Sequence, residues 1–199
     1  MFGTGCRIGE IVALCWDDVD FENGLISIKH SAAIIKGQSG GSRYDVFSTK
    51  TQSGIRTIPM LSKVREVLEQ RYSMHEEYGN PCRVTIRGWT DFVFCGTSGN
   101  LLDKCALNRV IKRIVLEHNA EEEENAEKEN RQPVIIPHFT CHTARHTFCT
   151  RLCENDTNIK VIQSVMGHRD IKTTLDVYAE ISEKKKQEAL LQLDENDIV

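Results

Sequence analysis

Thr140-Cys141-His142-Thr143-Ala144-Arg145-His146, then Met166-Gly167-His168, then Thr173-Thr174-Leu175-Asp176-Val177-Tyr178, decide how this 199-residue chain folds. Thr140 can cap a helix that carries His142, Arg145, Phe148, Cys149 and Leu152. Thr157 or Asn158 starts a second helix, which Gly167 ends. A third begins near Asp170 or Lys172 and leads into Tyr178. His142 and Arg145 stand three residues apart and so share a helix face. An imidazole that handles protons and a guanidinium fork that binds two phosphate oxygens can then address one group. A tyrosine phenol, with an unperturbed pKa of about 10, is a poor nucleophile at neutral pH. Among cations that neutralise a phosphodiester it becomes a credible one, so the pattern points to phosphoryl transfer on a nucleic acid.

Upstream, the pattern is joined by Arg7 and Lys50. After Gly5, the apolar positions Ile8, Ile11, Val12, Leu14 and Cys15 fit a short helix, with Arg7 near its start as a second phosphate fork. Two arginines on the non-bridging oxygens would stabilise a pentacovalent transition state electrostatically. Asp17 to Asp20 ends that helix, and Leu25 to Ile28 alternates as a strand does. Gly37 to Gly41 reads as a loop. Val46 to Lys50 and Ile55 to Pro59 flank the hairpin-like turn Thr51-Gln52-Ser53-Gly54, which puts Lys50 at a strand end. Leu61 to Tyr78 forms an amphipathic helix with Val64, Val67, Leu68 and Tyr72 on one side. A short strand over Asp91 to Cys95 and a helix capped by Asp103 and running to about Glu117 follow. The glutamate-rich stretch after it has no apolar period and reads as an extended or disordered loop that its like charges keep solvated. A last helix over Ser182 to Leu193 places Ala189, Leu190 and Leu193 on one face. The fold class is therefore α+β, mostly helical, with a small antiparallel sheet in the amino-terminal half.

Length and composition are those of one globular domain with a sizeable core: 40% hydrophobic and 27% charged residues. No apolar run approaches the roughly 18 residues of a membrane span, and the first residues lack the pattern of a signal peptide. A cytoplasmic protein with no membrane partner is expected. The eight cysteines form no CxxC pair, so they read as free, mostly buried thiols. The net charge of −4 is unevenly distributed: residues 121–129 carry −5 and residues 179–199 carry −3, leaving the rest of the chain at +4. The candidate site thus lies in mildly basic surroundings. His142 and His146, with Cys149 nearby, have helical spacing for zinc, but the zincin pattern needs Glu after the first His and Thr143 stands there. His146 and Thr150 read as supporting residues, and Trp16 and Trp89 as core.

Gly3-Thr4-Gly5-Cys6-Arg7-Ile8-Gly9-Glu10, together with the three carboxy-terminal motifs, resembles the tyrosine recombinases, or phage-type integrases, and within them the integrases of conjugative transposons and other mobile elements. The resemblance runs from Arg7 to the helix beyond Tyr178. It implies that Arg7 and Arg145 clamp the scissile phosphate. His142 would take the phenol proton or support the transition state, and His168 would donate a hydrogen bond to the phosphate. Lys50, in Ser48-Thr49-Lys50-Thr51, would protonate the departing 5′ oxygen as general acid. Tyr178 would form a covalent 3′-phosphotyrosyl link. That link conserves the bond energy, so no cofactor, ATP or metal is implied. Glu10 would pair with Arg7 and orient it, or form an ordinary helix-surface ion pair.

The resemblance also implies partners: double-stranded DNA, and self-assembly into a tetramer on it, with a monomer expected in its absence. Residues 1–199 would be the catalytic domain, without the amino-terminal DNA-binding domain and the helix that leads into the Gly-Thr-Gly-Cys-Arg stretch. An apolar face would be uncovered there. Residues 182–199 form a tail helix, packed either on a neighbouring subunit or on its own core. The −5 segment is expected to point away from the duplex. Two other readings are a DNA-binding remnant that occupies sites without cutting, and a type IB topoisomerase that relaxes supercoils. A metal-dependent nuclease is a more distant one.

Overall fold

The computed structural model describes residues 1–36, 42–48, 54–155 and 157–195, with side chains described except at 36, 42 and 184–195. Five strands lie in the amino-terminal half and most of the helical residues follow them, as the α+β reading expects. Helix α1 (Ile8–Ala13) is followed by a 3-10 turn (Trp16–Asp18), β1 (Val19–Asp20), β2 (Leu25–Ile28), β3 (His30–Lys36), β4 (Ser42–Ser48) and β5 (Arg56–Pro59). The segments α2 (Ser62–Tyr78), α3 (Lys104–Lys128), α4 (Cys141–Glu154), α5 (Ile159–Met166) and α6 (Ile171–Glu195) complete the chain.

The strands form two small antiparallel sheets, β1-β2-β5 and β3-β4. Thr51 to Ser53 of the expected hairpin turn lie outside the described residues, and among the described residues β4 and β5 do not pair with each other. β5 pairs with β2, Ile58 opposite Ile26 and Arg56 opposite Ile28, while β4 pairs with β3. The reason is face matching: Ile26, Ile28 and Ile58 all point into the core with Leu14, Trp16, Leu68 and Val93. Register follows the buried face and not the nearest turn. The Gly37–Gly41 loop and Lys50 lie outside the described residues. Residues 91–95 form isolated bridges instead of a strand, Cys15 with Phe92 and Cys95 with Leu101. In α2, Leu68 is buried, but Val67 is 55% exposed. Val67 borders an apolar cavity of about 250 Å³, lined also by Met1, Ile11, Leu14, Val64 and Phe94.

The glutamate-rich stretch is helical, which corrects the expectation of a loop. α3 runs from the Asp103 cap, whose carboxylate accepts from the N–H groups of Cys105 and Ala106, to Lys128. Glutamate and alanine are strong helix formers, and local tertiary contacts fix this half. Ala126 is buried. Glu122 accepts from Arg131 and from the Val134 N–H, and Asn119 exchanges two hydrogen bonds with the Ile136 backbone. The segment after α3 therefore returns along the helix that precedes it.

α4, α5 and α6 pack around Cys149, Cys153, Ile162, Met166, Val177 and Ile181. Thr140 caps α4 and Asn158 caps α5. The two helices expected at the carboxy terminus are one, since α6 passes without a break through Tyr178 and Ser182. Ile181 packs on its own chain. All eight cysteines are free thiols.

Candidate active site

Gly167 sets the position of the loop between α5 and α6. It adopts φ +61°, ψ +40° as the C-cap, a left-handed conformation that glycine reaches without a Cβ penalty. The His168 N–H then donates to Gln163 O at 3.1 Å and closes the helix end. Helix carbonyls left without intrahelical donors follow one another here, and each takes an arginine. Arg56 Nε donates to Val165 O at 2.7 Å, Arg145 Nη2 to Met166 O at 2.6 Å, and Arg7 Nη2 to Gly167 O at 2.9 Å. Arg145 Nη1 also donates to Gly5 O. Three arginines from α4, the residue before α1, and β5 thus meet at one turn.

Glu10 is the counter-charge. Its Oε1 accepts from Arg7 Nη1 at 3.0 Å and Arg56 Nη1 at 3.1 Å; its Oε2 accepts from the Arg7 N–H and Arg56 Nη2, both at 2.8 Å. Only 4% of Glu10 is exposed, so this is a buried network and not a surface ion pair. Burial pushes the Glu10 carboxyl up, but the hydrogen bonds and charge of Arg56, then those of Arg7, hold it below the usual carboxylate range. Arg145 is pushed down to about 10, by burial first and then by Arg7, with Arg56 adding to it and Glu10 opposing. It remains a cation at neutral pH. One carboxylate among three guanidiniums leaves the turn strongly electropositive, which suits an anion.

A cavity of about 70 Å³ beside this turn is lined by His142, Arg145, His146, Met166, His168 and Thr173, among others. His168 Nδ1 lies 2.9 Å from the Thr174 hydroxyl. Burial first, then the charges of Arg145, Arg7 and Arg56, push its pKa down to about 4. His142 and His146 are solvent-exposed on α4, and His146 Nδ1 lies 3.4 Å from the Thr150 hydroxyl. Tyr178 is half-buried, its ring packed on the α4–α6 core with Phe148 and Leu152, and is not among the residues lining the cavity. It stands one helical turn after Thr174. Of the six expected site residues, His142, Arg145 and His168 share the cavity, Arg7 meets Arg145 at the turn beside it without lining it, Tyr178 lies on the adjoining helix, and Lys50 lies outside the described residues.

Sequence reasoning missed Arg56 and Thr174. The signal for Arg56 was available, because it occupies an inward position of the alternating strand Arg56–Pro59, where arginine is rarely found unpaired. Thr174 gave none, being one threonine among several. Among the described residues, one group could offer a metal three donors: buried Cys15, Asp18 and His30. These donors are already engaged. His30 Nε2 lies 2.5 Å from Ala13 O, Lys29 Nζ 3.0 Å from Asp18 Oδ1, and the Cys15 thiol donates to Ala13 O at 3.6 Å. The Cys15 thiol is pushed up to about 12 by burial and then by Asp18. None of the three lines the cavity, and no described helix is long and apolar enough to cross a membrane.

A fold of this order, with arginines converging on a turn before a tyrosine-bearing helix, is that of a tyrosine recombinase catalytic domain. The chain belongs to the phage integrase family, whose pattern matches residues 1–185. It is similar to the transposase from transposon Tn916 of Enterococcus faecalis, 32% identical over 176 residues covering 88% of this chain and 39% of that protein. It is also similar to the integrase of Staphylococcus phage L54a, 33% identical over 187 residues, 93% of this chain and 47% of that one. The Tn1549 transposon integrase, solved in complex with transposon right end DNA, superposes with TM-score 0.74 and 29% identity, over 94% of this chain and 56% of that chain. The chain thus spans about half the length of these relatives or less.

Proposed function

We propose that this chain carries the strand-cleaving chemistry of site-specific DNA recombination or integration, acting on double-stranded DNA through a covalent 3′-phosphotyrosyl intermediate. The observation that carries the reading is the convergence of Arg7, Arg145 and His168 on one glycine-capped turn. Guanidinium groups anchored on backbone carbonyls are held before substrate arrives, which is what electrostatic stabilisation of a transition state requires. The Tn1549 integrase binds transposon DNA in its solved complex, and that supports the same partner here.

A phosphodiester seated between Arg7 and Arg145 would have its non-bridging oxygens neutralised. His168, with Nδ1 engaged by Thr174, would offer Nε2 to the phosphate. Tyr178 would attack phosphorus, forming the Tyr178 Oη–P bond as the P–O5′ bond breaks. The phenol proton would pass to His142 or solvent, and Lys50 would deliver a proton to the departing 5′ oxygen. Reversal by another strand's 5′ hydroxyl would restore the phenol, so the cycle is redox-neutral and calls for no ATP. The ring packs on the α4–α6 core, so attack requires it to turn toward the cavity when DNA arrives. Assembly into a tetramer would follow DNA binding, and the protein alone would be a monomer in the cytoplasm.

The test is incubation with a duplex carrying a nick that traps the cleaved strand. A denaturation-resistant protein–DNA adduct, unaffected by EDTA and lost in Tyr178→Phe, is expected. An adduct that survives Tyr178→Phe, or its absence at saturating protein, would overturn the assignment; the second result is what a non-cleaving DNA-binding remnant gives. Relaxation of supercoils without joining of paired sites would mark topoisomerase action instead.

A further inference from the structure

We propose that Arg56 is a positioning residue of this active site, holding Glu10 and the end of α5 so that Arg7 and His168 face the same phosphate. The inference rests on the reading of the site given above. Arg56 is 8% exposed, and Glu10, the carboxylate it bonds, is 4% exposed. Its fork grips both oxygens of Glu10, at 3.1 and 2.8 Å, while Nε donates to Val165 O at 2.7 Å. Gly167 packs so closely that a Cβ there would lie 2.7 Å from Arg56 Nη1. One planar group therefore joins β5, the helix start bearing Arg7, and the turn bearing His168.

The consequence for Arg7 follows from donor and acceptor bookkeeping. Glu10 shares its two oxygens between Arg56 and Arg7, so the Arg7 side chain takes only one bond from it, through Nη1. Arg7 Nη2 is left for Gly167 O, and 45% of the Arg7 side chain remains exposed, against 3% for Glu10. Without Arg56, Glu10 would face a single guanidinium and draw both Arg7 nitrogens inward, away from Gly167 and from incoming phosphate. Val165 O would at the same time lose its donor at the end of α5. Lysine cannot replace this arrangement, since one ammonium cannot span two carboxylate oxygens and a carbonyl in a plane.

The test uses Arg56→Lys and Arg56→Gln in the full chain. Their melting curves are recorded with single-turnover adduct formation on the nicked duplex and with duplex Kd. The expected result is a fall in adduct rate of about 10- to 100-fold at saturating duplex, the scale of a small misplacement near the chemistry. Kd should move less than about 3-fold, because the phosphate-binding arginines remain. Arg7→Lys combined with Arg56→Lys should lose less than the product of the two single losses, because part of the Arg56 effect passes through Arg7. Wild-type rates in Arg56→Lys, fully multiplicative losses in the double variant, or loss of cooperative folding in both Arg56 variants would each overturn the proposal. The last result would mean that Arg56 supports the fold and not the site.

A readout that needs no DNA separates this from failure of the recombinase reading. The His168 ring faces the Thr174 hydroxyl and feels Arg145, Arg7 and Arg56, with Glu10 in the same network and His142 and His146 across the cavity. Its titration midpoint, followed by NMR, should differ from wild type in Arg56→Lys, which keeps a cation at this position, because the turn that holds the ring is displaced. If the wild-type chain forms no adduct, the functional reading fails and this midpoint decides the role of Arg56. An unmoved midpoint would overturn it.

Discussion

The Nδ1 atom of His168 sits 2.9 Å from the Thr174 hydroxyl, a side chain with no exposed surface in the first turn of α6. This one contact fixes the imidazole plane relative to the helix that carries Tyr178, four residues on. Thr174→Val preserves shape and deletes the hydroxyl. The expected cost is about 1 kcal/mol of stability, together with a roughly 10-fold slower adduct formation as the ring loses its orientation. Thr174→Ser should restore most of the rate. Urea unfolding and single-turnover cleavage of the three proteins check this, and a wild-type rate in Thr174→Val would show that the imidazole is held by other contacts.

His168 also predicts a pH dependence. In the unfolded chain a histidine takes its proton near pH 6.5, whereas folded His168 takes it near pH 4, because burial and then Arg145, Arg7 and Arg56 oppose the charge. Between those values the unfolded state binds more protons, so stability rises with pH and is lost as pH falls from about 6.5 towards 4. The melting temperature should drop over that window, and part of the slope should vanish in His168→Gln. Phosphate bound between Arg7 and Arg145, as proposed, would reverse the balance by favouring the imidazolium. Duplex binding near pH 5 to 6 should therefore take up a proton in the wild type and less in His168→Gln. Equal pH slopes for the two proteins would contradict this.

Gly5 and Gly167 both adopt φ +61° against close neighbours. A Cβ on Gly5 would lie 2.6 Å from Phe148 and 2.7 Å from Met166 Sδ, and one on Gly167 would lie 2.7 Å from Arg56 Nη1. Gly79, at φ +78°, has nothing within 4 Å and separates backbone strain from crowding. Gly79→Ala is expected to cost about 1 kcal/mol. Gly5→Ala and Gly167→Ala are expected to cost about 2 to 4 kcal/mol, as overpacking adds to strain. Chemical denaturation measures all three, and equal losses would show that the neighbours yield freely.

The helical part of the site was legible because its signals are local. Thr140 caps α4, Gly167 caps α5, and helical spacing puts His142 and Arg145 together. Strand pairing was not legible from the same kind of signal. Thr51–Gly54 looks like a hairpin turn, yet β5 is claimed by β2 through the buried faces of Ile58, Ile26 and Ile28, a nonlocal choice. The same holds for Glu10. A carboxylate three residues from Arg7 reads equally as a surface pair until Arg56, 46 residues away, closes over it. For the glutamates of α3, like-charge repulsion opposes helix propensity, and the sequence alone does not show which prevails. The contacts from Asn119 and Glu122 to the returning chain tip that balance and have no periodic signature.

The acidic half of α3 yields a prediction about DNA that its charge alone would get wrong. Asn108 Oδ1 accepts the Cys141 N–H at 3.0 Å, which ties an early turn of α3 to the start of α4. Glu121 to Lys128 lie thirteen to twenty residues further along the same unbroken helix, about 20 to 30 Å away at about 1.5 Å per residue. That exceeds the Debye length of about 10 Å at 0.1 M salt. Glu122 is moreover held by Arg131, whose hydrogen bonds, with that of the Val134 N–H, push its carboxyl down to about 2. Replacing Glu121, Glu123 and Glu124 by Gln should therefore change duplex Kd by less than about 2-fold at 0.1 M salt, with an unchanged slope of log Kd against log salt. Arg7→Gln, by contrast, should weaken binding and flatten the slope by about one unit. Fluorescence anisotropy across a salt series tests both. Markedly tighter binding by the triple variant would place the acidic helix against the duplex.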